Sequence, residues 1–312
     1  MIPIFESILP IFLLIVIGNL LARAPILDRP AWDGLERISY WILYPTLLFA
    51  TILRADMSSL SLDAMLIALF VSLGVMGAFV LALWPIFRAT GTATKGEFSS
   101  IFQTAMRWNG FIALAVAQKL YPPEASAVVA LVMAAIIIPL NISSVAVVLR
   151  FGSGAANWRR TLFAMATNPL IIGVALGILC RFIPGGLYEP LGETIDLLGN
   201  AAIGIGLLAI GSGLRPAMLL QPRAAMLVPL VLKLAVLPAL LIAVALALGV
   251  TGPQLIYLAL CGSVPTAMNG YVLARQLGGD AEFYAAETTL QTAVAFITMP
   301  IVLAVAAQLA SG

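Results

Sequence analysis

A chain of 312 residues that is 62% hydrophobic and 10% charged lies far from soluble domains, which carry about 25% charged residues. A water-soluble globular fold is excluded. Its 16 basic and 14 acidic side chains leave a net charge of +2, which gives no argument for a nucleic-acid partner. The chain has no histidine, and its two cysteines, Cys180 and Cys261, lie inside apolar segments. Histidine metal sites and proton relays are therefore excluded, a structural disulfide does not fit, and no metal or cofactor is expected.

The opening stretch "MIPIFESILPIFLLIVIGNLLAR" lacks a basic start, with Glu6 its sole charged side chain before Arg23. Its apolar run also exceeds a usual signal sequence, so it reads as a first span retained in the protein. About 20 apolar residues cross the hydrocarbon core as a helix. Ten such stretches occur, at 4–22, 32–53, 63–87, 97–119, 124–149, 161–183, 190–213, 224–248, 253–276 and 281–309. They are continuous rather than alternating, which excludes a β-barrel. The expected class is an all-α, multi-pass protein of the inner (plasma) membrane, with the lipid bilayer as its surroundings.

Several spans carry polar residues that a lipid-facing helix would avoid. In the fourth, "FQTAMRWNGFIALAVAQ" places Arg107, Asn109 and Gly110 near the centre without a proline. In the ninth, "CGSVPTAMNGYVLARQ" gathers Gly262, Ser263, Pro265, Thr266, Asn269 and Gly270. A proline removes one helical hydrogen bond and clashes with the preceding turn. Unpaired backbone survives at membrane depth only where protein or a water-filled cavity covers it. Both segments are therefore predicted to be broken helices. The eighth span holds Lys233 near its middle, and the tenth holds Glu287 with Gln291 and Thr292 one turn on. Charges at that depth are costly and mark functional sites by default.

Asn109 and Asn269 lie 160 residues apart, each followed by glycine and an aromatic residue. Within a residue or two, the same spacing relates Pro10 to Pro169, Gly18 to Gly177, Arg54 to Arg215 and Pro139 to Pro300. Five spans would thus repeat, 1–150 against 161–312. Because five is odd, the second copy enters from the opposite side, giving two inverted five-helix repeats with broken helices four and nine crossing each other. With the N-terminus outside, eleven basic residues fall on the cytoplasmic side and three on the other. Both termini are then extracytoplasmic.

At the crossing, half-helix N-termini each present about +0.5 of an elementary charge and suit an anion such as a carboxylate. The half-helix C-termini suit a cation. Asn109, Asn269, Ser263 and Thr266 are the candidate substrate-binding residues, with Gly110, Pro265 and Gly270 as the hinge positions. Against them stands the use of asparagine between helices and of hydroxyls bonded back to their own helix. Arg107 could grip a substrate carboxylate with two prongs or pin a neighbouring helix. Lys233 beside the free carbonyls could replace a coupling ion or carry protons, or it could simply pair with Glu287. Gly173-x-x-x-Gly177 reads as close packing within the chain before a homodimer contact.

The pattern "RWNGF" in the fourth span and "SVPTAMNGYVLARQLGGD" in the ninth resemble the auxin efflux carrier family, with likeness over essentially the whole chain. That family includes plant auxin exporters and bacterial carriers of malonate and other organic acids. The resemblance implies a fold shared with the sodium–bile acid symporters. Spans one, two, six and seven (4–53 and 161–213) would form a scaffold, and 63–149 with 224–309 a moving transport domain. It also implies Asn109, Asn269 and Pro265 as the crossover residues. The crossover proline expected in the fourth span is missing, and the connection between the fifth and sixth spans is short, as in bacterial members.

The function expected is a secondary transporter of small organic anions, mono- or dicarboxylates, working by elevator-type alternating access without sodium. A sodium-coupled symporter of the bile acid type is the alternative within that class. An anion channel lacks a ring-forming charged pore motif here. A membrane enzyme lacks any HExxH or Gly-x-Ser-x-Gly motif, so no catalytic residue is assigned.

Overall fold

A computed structural model describes residues 2–56, 58, 60–152, 159, 163, 166–184, 187–220 and 223–311. All regular elements among the described residues are helical. The basic pair Arg159 and Arg160 and the aromatic Trp158 fall in or beside a stretch mostly outside those residues, as does the first part of the sixth expected span.

Among the described residues, six helices are long and apolar enough to cross a membrane: Ile4–Leu21, Leu62–Thr90, Pro123–Phe151, Glu189–Gly213, Ala224–Ala247 and Ala281–Ala310. The difference from the ten stretches read in the sequence has physical causes. The fourth and ninth stretches are each cut in two, and the helix of the sixth is given only from Pro169 to Cys180. The second begins as α2 (Arg29–Ile38), whose first turns carry charge, and continues through a π turn into α3 (Tyr44–Arg54).

α1 (Ile2–Leu21) leads to α2, which Asp28 caps by accepting a hydrogen bond from the Ala31 N–H at 2.9 Å. α4 (Leu62–Ala82) and the short α5 (Trp84–Thr90) end at Gly91, whose φ of 65° is open to glycine at little cost. α6 (Lys95–Met106) opens on a capping box between Thr94 and Glu97. After a short break come α7 (Gly110–Leu120) and α8 (Pro123–Phe151), the latter with Pro139 inside it. The second half holds α9 (Pro169–Cys180), α10 (Glu189–Gly213), and α11 (Leu227–Val231), which passes through a π turn into α12 (Leu237–Ala247). It closes with α13 (Pro253–Ser263), α14 (Asn269–Leu277) and α15 (Ala281–Ala310).

The two π turns, Ser39–Leu43 and Leu232–Val236, stand two residues before Pro45 and Pro238. A proline ring presses on the carbonyl four residues earlier. Those carbonyls belong to Trp41 and Leu234, inside the widened turns. The extra residue per turn relieves the clash and re-aims the side chains, a form of helix bulge often found where function needs it. Lys233 sits in the second of them.

Two tight pairings organise the helices. α1 lies along α10, where a Cβ on Gly18 would run into the Leu208 backbone and one on Gly211 into that of Ile15. α9 lies along α3, where Gly173 meets the Pro45 backbone and Gly177 meets Phe49 and Ile52. Small residues allow this approach without a hydrophobic driving force between helices in lipid. The Gly173-x-x-x-Gly177 face is thus occupied within the chain. α4 packs on α12, α13 on α15, and both α6 and α7 on α8.

Candidate functional site

α6 stops at Met106 because the chain turns extended at Arg107, with ψ of 154°, and restarts only when the Asn109 side chain caps α7 by accepting from the Ile112 N–H at 3.2 Å. α13 stops at Ser263, and the chain runs irregularly until α14 begins at Asn269. The two gaps touch. The Asn109 N–H donates to the Pro265 carbonyl at 2.7 Å.

The second gap is held chiefly by α15. Gln291 accepts from the Thr266 N–H at 3.0 Å, and its amide donates to the Thr104 carbonyl at 3.2 Å, in the last turn of α6. One side chain thereby ties both interruptions. It also donates to Glu287 at 2.8 Å. The Tyr284 hydroxyl donates to the Ala267 carbonyl at 2.6 Å and lies 3.2 Å from the Thr266 hydroxyl. Tyr284, Glu287 and Gln291 recur at the spacing of one helix face. That periodicity was available in the sequence, and only its last two members were flagged there.

Lys233, fully buried, donates to the Gly262 carbonyl at 3.3 Å. That carbonyl is one of the last four of α13, which have no partner inside their helix. Lys233 and Glu287 form no ion pair, and the second Glu287 oxygen has no hydrogen-bond partner among the described residues.

Arg107 is 5% exposed. Its guanidinium donates to Asn141 Oδ1 at 2.9 Å and Asn269 Oδ1 at 3.3 Å, while its Nε is unpartnered. The ion pairs among the described residues involve other cations, so no carboxylate balances it there. Asn141 stands two residues after Pro139, and its amide donates to the Ile137 carbonyl at 2.8 Å. A polar residue beside an in-helix proline was a signal the sequence reading did not use.

Two cavities meet at the gaps. The larger, about 480 Å³, is lined by Asn109, Asn269, Phe111, Ala267, Met268 and Tyr271 on one side. On the other side are Trp32, Tyr40, Tyr44, Gly206 and Gly213, with Arg29, Asp33, Glu36 and Arg215 beyond. The smaller, about 80 Å³, is lined by Arg107, Trp108, Gly110, Asn141 and Met133. Phe111, Leu170, Ala267 and Asn269 border both. Tyr44 stacks on Phe111 with ring centroids 3.5 Å apart and planes 13° from parallel.

Of the residues singled out in the sequence, Asn109 and Asn269 share the large cavity, whereas Arg107 lines the small one. Ser263 donates to the Leu260 carbonyl at 3.0 Å, and the Thr266 hydroxyl sits beside Tyr284; both are fully buried and line neither cavity. Gly110 and Gly270 are close-approach positions, against Met133 and Tyr284 respectively. No cluster of three or more metal-ligating side chains occurs among the described residues.

The model of a family described as "Membrane transport protein", the auxin efflux carrier family, matches residues 156–303. A protein of Methanothermobacter thermautotrophicus named "Uncharacterized transporter" is 22% identical over 300 residues, covering 95% of this chain and 96% of that protein. The family match contains the second of the two motifs that carried the resemblance, at 263–280, while the first, at 107–111, lies outside it.

Proposed function

We propose that the chain, a multi-pass membrane protein similar to the auxin efflux carrier family over residues 156–303, belongs to that family and carries small organic anions, mono- or dicarboxylates, by elevator-type alternating access without sodium. The observation that carries this reading is the hydrogen bond between the two gaps, Asn109 N–H to the Pro265 carbonyl, at the wall of a 480 Å³ cavity. Two interrupted helices joined inside an apolar body bring free N–H groups and amide side chains to one place. An acid shedding its water there finds donors in exchange.

Inverted repetition is supported by a correspondence in how helices end. Arg181, closing the sixth stretch, donates to the Ile52 carbonyl at 2.8 Å and also caps Ala55 at the end of α3. Asn19, closing the first, donates to the Gly211 and Leu214 carbonyls at 3.0 and 2.8 Å at the end of α10. Both acceptor pairs are separated by 159 residues, 52 to 211 and 55 to 214. The tight pairings follow suit, first stretch on seventh and sixth on second. These four helices form the scaffold in our reading, and the remainder carries the cavity wall bearing Asn109 and Asn269. With both termini extracytoplasmic, the cavity's rim residues Arg29 and Arg215 lie toward the cytoplasm, and in our reading the cavity opens inward.

Lys233 takes the part of a coupling cation. Its ammonium occupies the carbonyl end of α13, and a sodium ion beside it would meet like charge. Transport is then driven by pH or membrane potential.

The test is counter-transport in proteoliposomes. Labelled malonate, lactate, succinate and indole-acetate are exchanged against unlabelled acid, with sodium or choline as the sole cation. Saturable exchange that persists in choline and disappears in Asn109→Ala and Asn269→Ala is expected. Loss of exchange on removing sodium would reject the coupling, and single-channel currents would reject the carrier.

A further inference from the structure

We infer that the 80 Å³ chamber beside Arg107 is a separate site for a small monovalent anion of chloride or formate size, a resident counter-ion rather than the transported acid. Four observations converge on it.

Arg107 brings a full positive charge into this chamber and is 5% exposed, yet the oxygens it reaches, on Asn141 and Asn269, belong to neutral amides. Neutral acceptors satisfy hydrogen bonds without cancelling charge, and a buried unbalanced charge is far costlier than a paired one. Its Nε, among the buried atoms without a partner, remains to donate. Gly110 and Phe111, the first two residues of α7, line the same chamber. N–H groups at these positions have no acceptor within their own helix, and the helix N-terminus adds partial positive charge. Asn269, whose oxygen is turned to Arg107, also lines the chamber. No acidic side chain lines the chamber.

Donors and positive charge without an acid describe an anion's coordination sphere. The volume is several times the roughly 10–15 Å³ that one water requires, and about one-sixth of the neighbouring 480 Å³ cavity. Phe111 and Leu170, both apolar, border this chamber and its larger neighbour. Met133 and Ile136 complete a dry wall. A small anion suits this volume better than a bulky one.

The purified full-length protein, in gluconate buffer at fixed ionic strength, is titrated with chloride, bromide or formate while its melting temperature is followed. A saturable rise with each small ion, absent in Arg107→Gln, is expected. No rise over gluconate, or an equal rise in Arg107→Gln, overturns the site. Should that variant fail to fold, iodide quenching of Trp108, which lines the chamber, is measured on the unaltered chain with Trp108→Phe as the subtraction. Quenching that saturates and is relieved by chloride supports the site, and linear, chloride-insensitive quenching overturns it. A last arm repeats the chloride titration in saturating malonate. An undiminished chloride response supports separate occupancy, whereas competitive displacement assigns the chamber to the substrate's own carboxylate and overturns the inference. The chloride arms stand without any organic acid binding, so a failure of the carrier reading is told apart from a failure of this one.

Discussion

The first interruption spans Arg107 to Asn109, three residues, and the second spans Val264 to Met268, five. The first has no proline and restarts through a side-chain cap, Asn109 on the Ile112 N–H. The second contains Pro265 and restarts without a side-chain cap, its free backbone groups taken up by Gln291 and Tyr284 from α15. A short gap can be closed by its own sequence, because one asparagine satisfies a donor locally. A longer one exposes too many backbone groups and must borrow partners from a neighbouring helix. The first gap therefore borrows less, the Pro265 carbonyl for its Asn109 N–H and Gln291 for the Thr104 carbonyl before it, and the second depends on α15 more heavily.

Removing the borrowed support should have the largest effect. Gln291→Leu strands the Thr266 N–H and the Thr104 carbonyl, and each buried orphan costs about 1–3 kcal/mol. A sharply lowered melting temperature and loss of exchange are expected, and a variant melting like the parent would refute the dependence on α15. Next comes the pair of hinge glycines. A methyl on Gly270 collides with the Tyr284 ring, which two hydrogen bonds hold in place. A methyl on Gly110 meets the flexible end of Met133 at 2.7 Å. Overpacking of about 1–3 kcal/mol is expected for Gly270→Ala and clearly less for Gly110→Ala; thermal melts of the two side by side decide it.

The asparagines sharpen the contrast in a different way. Asn109→Ala should lose a helix cap, about 1 kcal/mol, together with substrate-induced stabilisation. Asn269→Ala caps nothing but removes one of the two oxygens that Arg107 reaches, so its own stability should fall by a comparable amount while the response to the acid is lost equally. Thermal shift with and without malonate separates the two quantities. The smallest effect expected is that of Lys233→Gln on sodium. A melting temperature indifferent to sodium in the parent should acquire a modest sodium dependence once the ammonium is gone, and continued indifference would remove Lys233 from the role of ion substitute.

Both interruptions were legible in the sequence, because asparagine and glycine beside proline or arginine contradict a lipid-facing helix wherever they fall. The first was the fainter, since without a proline the signal rested on Arg107, Asn109 and Gly110 alone. What no local pattern could supply was the pairing of atoms across the gaps. Gln291 was visible as a polar residue in an oily helix, but its placement between Thr104 and Thr266 depends on three elements separated by up to 187 residues. Arg107 shows the same limit. Its proximity in sequence to Asn109 suggested one shared pocket, yet the chain, extended at Arg107, places the two side chains in different cavities. The helices themselves followed from hydropathy, while their lengths did not, since a broken span and a whole one have similar composition.

The face-to-face contact of Tyr44 with Phe111 bears on how the two bodies could travel. Interlocked aliphatic side chains must lift out of one another before either surface advances, and each such step opens a void. Flat rings 13° from parallel can instead glide in their common plane at nearly constant separation. Full overlap is also not the arrangement that ring quadrupoles prefer, so the pair sits in a shallow well. Under the proposed elevator motion, such a joint would serve as a bearing that adds little friction to the stroke.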